Sequence, residues 1–334
     1  MNRNMKLMFY TEAREYVKRI RPCWSASGNP ASCDTVIVTL ADSIVRQSQP
    51  MKIIRAGRLL LITVLFVSLA LAGCVATTLV YNHADWLIAR QIDGYFDLNR
   101  SQKRFLSSRL SDILSHHRHE ALPRYESVLH QARDRAQDGL TTDDLDWAFL
   151  QYDQLRVDLF ARFVSDGTEF VRQVNDPQVS RLKKALQSHL AQAEALLQDD
   201  VAVRLAKRTE RILGLAREWL GPLSMQQEQE ITRLTMNFPD TLPFWYAHQK
   251  HRHEQLLALI ESRKSDQTAA RLEDWLVNQD KDTDPQFAEM MKQLRRHIAV
   301  LVISLDRSAT AAQRRHFLFK VDDLAATVRR LQAA

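Results

Sequence analysis

Cysteine is nearly absent from this chain. Only Cys23, Cys33 and Cys74 occur in 334 residues, too few for a disulfide scaffold, so a packed core must supply stability. Glycine and proline are almost as scarce. After residue 73 there remain Gly94, Gly139, Gly167, Gly214 and Gly221, and six prolines. No stretch alternates apolar and polar residues for long enough to argue for a strand. Gly-x-Ser-x-Gly, Walker, Gly-x-Gly-x-x-Gly and His-Glu-x-x-His signatures are all missing, which leaves no catalytic residue to name and points away from an enzyme. An excess of positive charge is missing too, once the chain is divided. Residues 1–50 carry 7 Lys+Arg against 4 Asp+Glu and residues 51–73 carry 3 against none, so residues 74–334 hold 36 of each. A nucleic-acid partner is therefore not expected, because phosphate neutralisation needs a basic surplus or patch.

What is present begins with a leader. Lys52, Arg55 and Arg58 follow Met51 and precede an apolar segment, residues 59–71. A basic start, a short apolar stretch and small residues before a cut are the parts of an export signal. The segment ends in Leu71-Ala72-Gly73-Cys74, which resembles the lipobox of bacterial lipoproteins. That resemblance implies acylation of Cys74, cleavage before it, and attachment to the membrane through acyl chains. Val75 in place of an aspartate implies sorting to the outer membrane, facing the periplasm. The competing reading is a retained single-pass inner-membrane anchor, since residues 59–80 contain no charge and are long enough to span a bilayer. Residues 1–50 show no sustained period and precede Met51 awkwardly; we read them as a non-native upstream extension, or else a disordered tail. The expected organisation is thus 1–50, a signal peptide over 51–73 and a helical envelope domain over 74–334.

In that last region the 3.6-residue period dominates. Phe287, Met290, Met291, Leu294, Ile298, Leu301, Val302 and Leu305 step along one face, as do Leu145, Phe149, Tyr152, Leu155, Leu159 and Phe163. Polar residues fill the opposite faces, so these stripes are read as core. Asn99-x-x-Gln102, Ser224-x-x-Gln227 and Thr310-x-x-Gln313 are capping boxes in sequence. Asp176-Pro177 and Asp284-Pro285 read as N-caps before a first-turn proline, Gly139 and Gly221 as C-caps, and Pro123 as a break. The spacing predicts helices near 76–92, 100–137, 142–174, 177–219, 225–237, 242–263, 267–279, 285–306 and 310–332. The expected fold class is all-α: an elongated antiparallel multi-helix array.

Three blocks then carry a resemblance. Tyr81-Asn82-x-x-Asp85-Trp86-Leu87 with Asp93-Gly94-Tyr95-x-Asp97-Leu98 and Gln102-Lys103 forms the first. His117-Arg118 with Leu122-Pro123-x-Tyr125 forms the second. The third is Lys207-Arg208-x-Glu210-Arg211, Trp219-Leu220-Gly221-x-Leu223-Ser224-x-x-Gln227, Pro239-Asp240, Trp245 and Gln255-Leu256-Leu257. Together they resemble an uncharacterised family of all-helical lipoproteins of Gram-negative bacteria. Membership implies a lipid-anchored helical protein and no particular activity. Leu98-x-x-x-Gln102 and Leu223-x-x-x-Gln227 also resemble the Leu-Thr-x-x-Gln hallmark of small periplasmic helical chaperones, although any capping box after a leucine gives the same string.

Histidines cluster at 116, 117 and 119 and at 248, 251 and 253. Spacing by three puts His116 with His119, and His248 with His251, on shared helix faces, the pairs a metal site would use. Arg118 and Arg252 would repel a cation, so no metal and no cofactor are expected. Asp143-Asp144, Asp199-Asp200 and Asp322-Asp323 are read as helix-start or surface acids. Trp86, Tyr95 and Phe96 are read as core. The function expected is a non-catalytic helical scaffold or protein-binding module of the envelope, with an unidentified protein partner. The alternatives are a periplasmic helical chaperone and, third, a metal-binding protein or enzyme.

Overall fold

The structure, a computed structural model, describes Thr78 and residues 80–333; Cys74, the leader and all of the proposed 59–80 anchor but Thr78 and Val80 lie outside them. The described region is all-α, with twelve α-helices and no strand. In chain order they are α1 (Ala84–Phe96), α2 (Arg100–His116), α3 (Leu122–Arg135), α4 (Thr142–Ala161), α5 (Val164–Arg172) and α6 (Asp176–Leu197). There follow α7 (Val201–Leu220), α8 (Met225–Met236), α9 (Leu242–Glu261), α10 (Thr268–Leu276), α11 (Pro285–Ser308) and α12 (Ala311–Gln332). Among the described residues no helix is long and apolar enough to cross a membrane.

Local chemistry explains most boundaries. Asn99, Ser224 and Thr310 form reciprocal capping boxes with Gln102, Gln227 and Gln313, and Asp284 caps α11 through the amides of Gln286 and Phe287. Four expectations need correction. The segment 177–219 is two helices, because Asp200 accepts from Ala202 N and starts a new one after a break at 198–200. The segment 142–174 is interrupted at 162–163. The N-cap of α6 is Asn175, not Asp176: Asn175 makes a fourth glutamine box, with Gln178, and the proline falls in the first turn. Gly139 is not a C-cap, since α3 ends at Arg135 with Ala136 as its C-cap; it turns the following loop at φ +105°. Near Pro123 the chain behaves as expected of a break. A π-helical turn, His117–Ala121, separates α2 from α3, widening the helix where the ring would otherwise clash.

The packing is not a simple sequential row. Hairpin α1–α2 sits against α5 and α6, α1 on α6 and α2 on α5. Hairpin α7–α8 sits likewise against α11 and α12, α7 on α12 and α8 on α11. The intervening helices cross over: α3 packs along α12, α9 along α6 and α10 on α5. One core joins Phe96, Leu106, Phe170, Leu182, Ile260 and Trp275 from α1, α2, α5, α6, α9 and α10. A second joins Leu213, Ile231 and Leu301 from α7, α8 and α11. A third places Tyr81, Leu122, Tyr125, Val328 and Leu331 together. The expected core strip near residue 90 divides: Phe96 is buried, Tyr95 is half-buried, but Trp86 is 48% exposed with Arg90 over its ring.

Gly221 ends α7 at φ 80°, ψ −155°, a region open essentially to glycine alone. Gly214 lies inside the same helix, and a Cβ there would meet nothing within 4 Å. Gly221→Ala should therefore destabilise by about 1–3 kcal/mol, while Gly214→Ala should stabilise by about 0.5–1 kcal/mol. Urea midpoints of the two variants moving in the same direction would contradict this account.

Candidate functional site

The four boxed glutamines meet in two pairs. Gln102 Nε2 donates to Gln178 Oε1 at 3.1 Å, and Gln178 Nε2 donates to Gln102 Oε1 at 2.8 Å. Each Oε1 also accepts from its own N-cap amide, Asn99 N at 3.1 Å and Asn175 N at 3.0 Å. Each Nε2 also donates to a carbonyl just before the other box, Gln173 O at 3.0 Å and Asp97 O at 3.4 Å. Both side chains are buried, and every donor and acceptor of the two amides is used. The same clasp recurs between Gln227 and Gln313, with reciprocal bonds of 3.0 and 2.9 Å. Ser224 N and Thr310 N again donate to the adjacent Oε1. Ser308 O and Pro222 O receive the remaining Nε2 protons. Capping explains the spacing of the boxes, but the far side of each amide locks two distant helix starts together. Only an amide can do both, since a carboxylate accepts without donating.

A second polar centre joins blocks of sequence 36 or more residues apart. Tyr81 Oη and His117 Nδ1 lie 2.9 Å apart, and His117 Nε2 lies 3.1 Å from Tyr125 Oη. Burial pushes the His117 imidazole down to about 4, helped by nearby His116, so it is neutral at pH 7 and can donate from one nitrogen while accepting at the other. Burial also pushes the Tyr81 phenol up to about 12, against the pull of Arg118, and raises that of Tyr125. Arg118 lies over the Tyr81 ring at 5.5 Å and donates to Asn82 Oδ1 at 3.1 Å. His117 and Arg118 thus serve the helix–helix contact beside the break.

Arginines of α7 hold a third junction. Arg208 donates to Pro239 O at 2.6 Å and Phe238 O at 2.9 Å, satisfying carbonyls beyond the end of α8. Arg204 pairs with Asp240 and bonds Leu197 O and Asp199 O, bracing the α6–α7 turn against the same loop. Inside the helices, Thr209 and Thr235 hydroxyls meet at 2.8 Å.

The metal reading gains no geometry. His119 Nδ1 faces Ser115 O at 2.8 Å, and His251 Nε2 accepts from Gln255 Nε2 at 3.0 Å. The His248 ring stacks on Phe287 at 4.0 Å between centroids, and burial with Arg252 nearby lowers its pKa to about 4. His116 ends α2, just before the π-helical turn. Among the described residues no three His, Cys, Asp or Glu side chains gather to hold an ion. One buried histidine escaped the sequence reading: His189 lies 3.3 Å from Tyr95 Oη and, between ring centroids, 6.4 Å from His253 of the second cluster. Its apolar-face position on α6 was the only signal. Asn175-x-x-Gln178 escaped as well, although its spacing matched the other boxes, because Asp176-Pro177 offered a rival cap.

Residues 94–287 match a family of unknown function, DUF6279. The chain belongs to this family. The match covers the first clasp, Gln102 with Gln178, and the whole third block, residues 207–257, while Tyr81 and Gln313 lie outside it; it carries no activity with it. No curated protein and no solved structure matches the chain.

Proposed function

We propose that this DUF6279 protein is a lipid-anchored envelope protein whose helical region is a non-catalytic scaffold or protein-binding module. The anchor rests on Leu71-Ala72-Gly73-Cys74 closing a leader with a basic start, and its location is the periplasmic face of the outer membrane. The scaffold reading rests chiefly on how the polar side chains are used. Gln102, Gln178, Gln227, Gln313, His117, Arg204 and Arg208 each hold one helix to another, whereas a catalytic site needs such groups turned toward a cleft. Metabolic labelling with palmitate should mark the wild type and leave Cys74→Ala unlabelled. Equal labelling of both, or an intact mass that retains residues 59–73, would favour the single-pass anchor. Crosslinking in intact cells then reads the partner: one reproducible envelope protein supports the scaffold, and turnover of a cell-wall or lipid substrate by the purified protein refutes it.

A helical chaperone is the second reading, favoured by the exposed apolar side chains Trp86, Leu150, Met225 and Phe319 and by the helix-start glutamines. It requires that the protein suppress aggregation of an unfolded client and that crosslinking return many clients in place of one.

A further inference from the structure

We infer that the helical region is two copies of one six-helix unit, α1–α6 and α7–α12, fused in tandem and exchanging their middle helices about a local twofold. The fold is then that of an intertwined dimer made from a single chain, independent of the function proposed above.

The correspondence runs through most of the packing, the contact of α9 with α11 being without a comparable counterpart between α3 and α5. Helix k of the first half plays the part of helix k+6 in the second. The hairpin α1–α2 meets α6 and α5 as α7–α8 meets α12 and α11. The middle helices cross to the opposite half in both directions, α3 onto α12 and α9 onto α6. The next pair does the same, α4 onto α11 and α10 onto α5, and α4 and α10 touch each other, as elements astride a twofold must.

The polar links obey the same exchange. Each clasp joins the start of the second helix in a half to the start of the sixth, Gln102 to Gln178 and Gln227 to Gln313. In both, the extra carbonyls belong to residues two before the facing N-cap: Asp97, Gln173, Pro222 and Ser308. The turn after α9 reaches the α5–α6 corner, where Arg263 donates to Val174 O at 2.6 Å and pairs with Asp176. The turn after α3 reaches the equivalent α11–α12 corner, where Leu140 N donates to Asp306 Oδ2 at 2.9 Å and Ala136 O accepts from Arg314 at 3.1 Å.

Sequence retains a trace of the duplication. The crossing helices open Leu122-Pro123-Arg124-Tyr125 and Leu242-Pro243-Phe244-Trp245. The clasp boxes read Leu98-Asn99-x-x-Gln102 and Leu223-Ser224-x-x-Gln227 in one position, Val174-Asn175-x-x-Gln178 and Ala309-Thr310-x-x-Gln313 in the other. Even the chain junctions correspond. The end of α6 lies by the start of α7, through Arg204 and Leu197 O, as the end of α12 lies by Tyr81 through Val328 and Leu331.

Two experiments on the full chain test this. A protease site inserted between Gln198 and Asp199 lets the halves be separated covalently. If they exchange helices, the cleaved pieces should co-elute natively at the mass of the intact protein and unfold in one transition. Pieces that part under native conditions, each still helical, overturn the inference. The second experiment reorders the halves: residues 1–79, then 201–333, then a short linker, then 80–197. Under a twofold the starts of α1 and α7 are interchangeable. The reordered chain should give the parent's helical circular dichroism and a single melting transition within about 10 °C of it. A reordered chain without that cooperative helical state equally overturns the inference, because helix exchange alone, lacking the twofold, would not tolerate the new order.

Discussion

Gln178→Ala should lower the unfolding free energy by about 2–4 kcal/mol. The substitution removes a box partner from the Asn175 amide, typically worth about 1 kcal/mol. It also leaves Gln102 Oε1 and Nε2 and Asp97 O short of partners in a buried setting, where an orphaned group costs about 1–3 kcal/mol. Gln102→Ala should cost about as much. The double variant should cost clearly less than the sum of the two, because the second deletion removes a group already orphaned. Urea unfolding of the four proteins measures this coupling; strict additivity would mean the two amides do not act as a pair. Gln178→Glu offers a sharper contrast. A carboxylate still accepts from Asn175 N but has no proton for Gln102 Oε1 or Asp97 O, so its folded-state pKa should rise. Stability lost by this variant at pH 7 should then return in part as the pH falls, opposite to the trend of the parent.

Acid should weaken the parent protein well above the carboxylate range. His117 is held near 4 by burial against an ordinary 6.5, so the unfolded chain binds a proton that the folded one refuses. The stabilising effect of the neutral ring is complete above pH 6.5 and is lost as the pH falls from there to 4. At roughly 1.4 kcal/mol per pKa unit the loss is about 3 kcal/mol. Burial depresses His248 and His253 as well, so they act in the same direction. His117→Asn should be less stable at pH 7, since no asparagine reaches both Tyr81 and Tyr125, yet it should show a flatter profile between pH 6.5 and 4. Unfolding midpoints at pH 7 and 4.5 provide the comparison. An unchanged slope in the variant would assign the acid sensitivity to other groups.

Each clasp also shows why a motif can be seen and its purpose missed. Asn99-x-x-Gln102 announces a helix start because capping is a contact between residues three apart, visible in any linear reading. Nothing in that string says that the same amide turns its other edge to Gln178, 76 residues on. The histidines teach the converse. Spacing by three suggests a shared face for His116 and His119, but helix geometry alone cannot say whether that face meets a carboxylate, a carbonyl or a ring. His119 finds Ser115 O, and His248 finds Phe287.

The sequence by itself determined the all-α class, the main amphipathic faces and most helix ends, because periodicity, caps and turn-breaking residues act within a few positions of the chain. It also supplied the Leu71-Ala72-Gly73-Cys74 leader, on which the proposed address depends. It did not separate α6 from α7, where Asp200 as a cap competes with an apolar period that continues past it. Tertiary structure alone decided which helices are neighbours. The apolar stripe of α3 would suit many partners, and its choice of α12, more than 170 residues away, depends on Leu122 and Tyr125 meeting Val328 and Leu331. Apolar burial is non-directional, so a stripe states that a face is covered without naming the cover. The directional groups make that choice, and Gln102 with Gln178, Gln227 with Gln313 and Arg263 with Val174 become partners only once the chain has closed on itself.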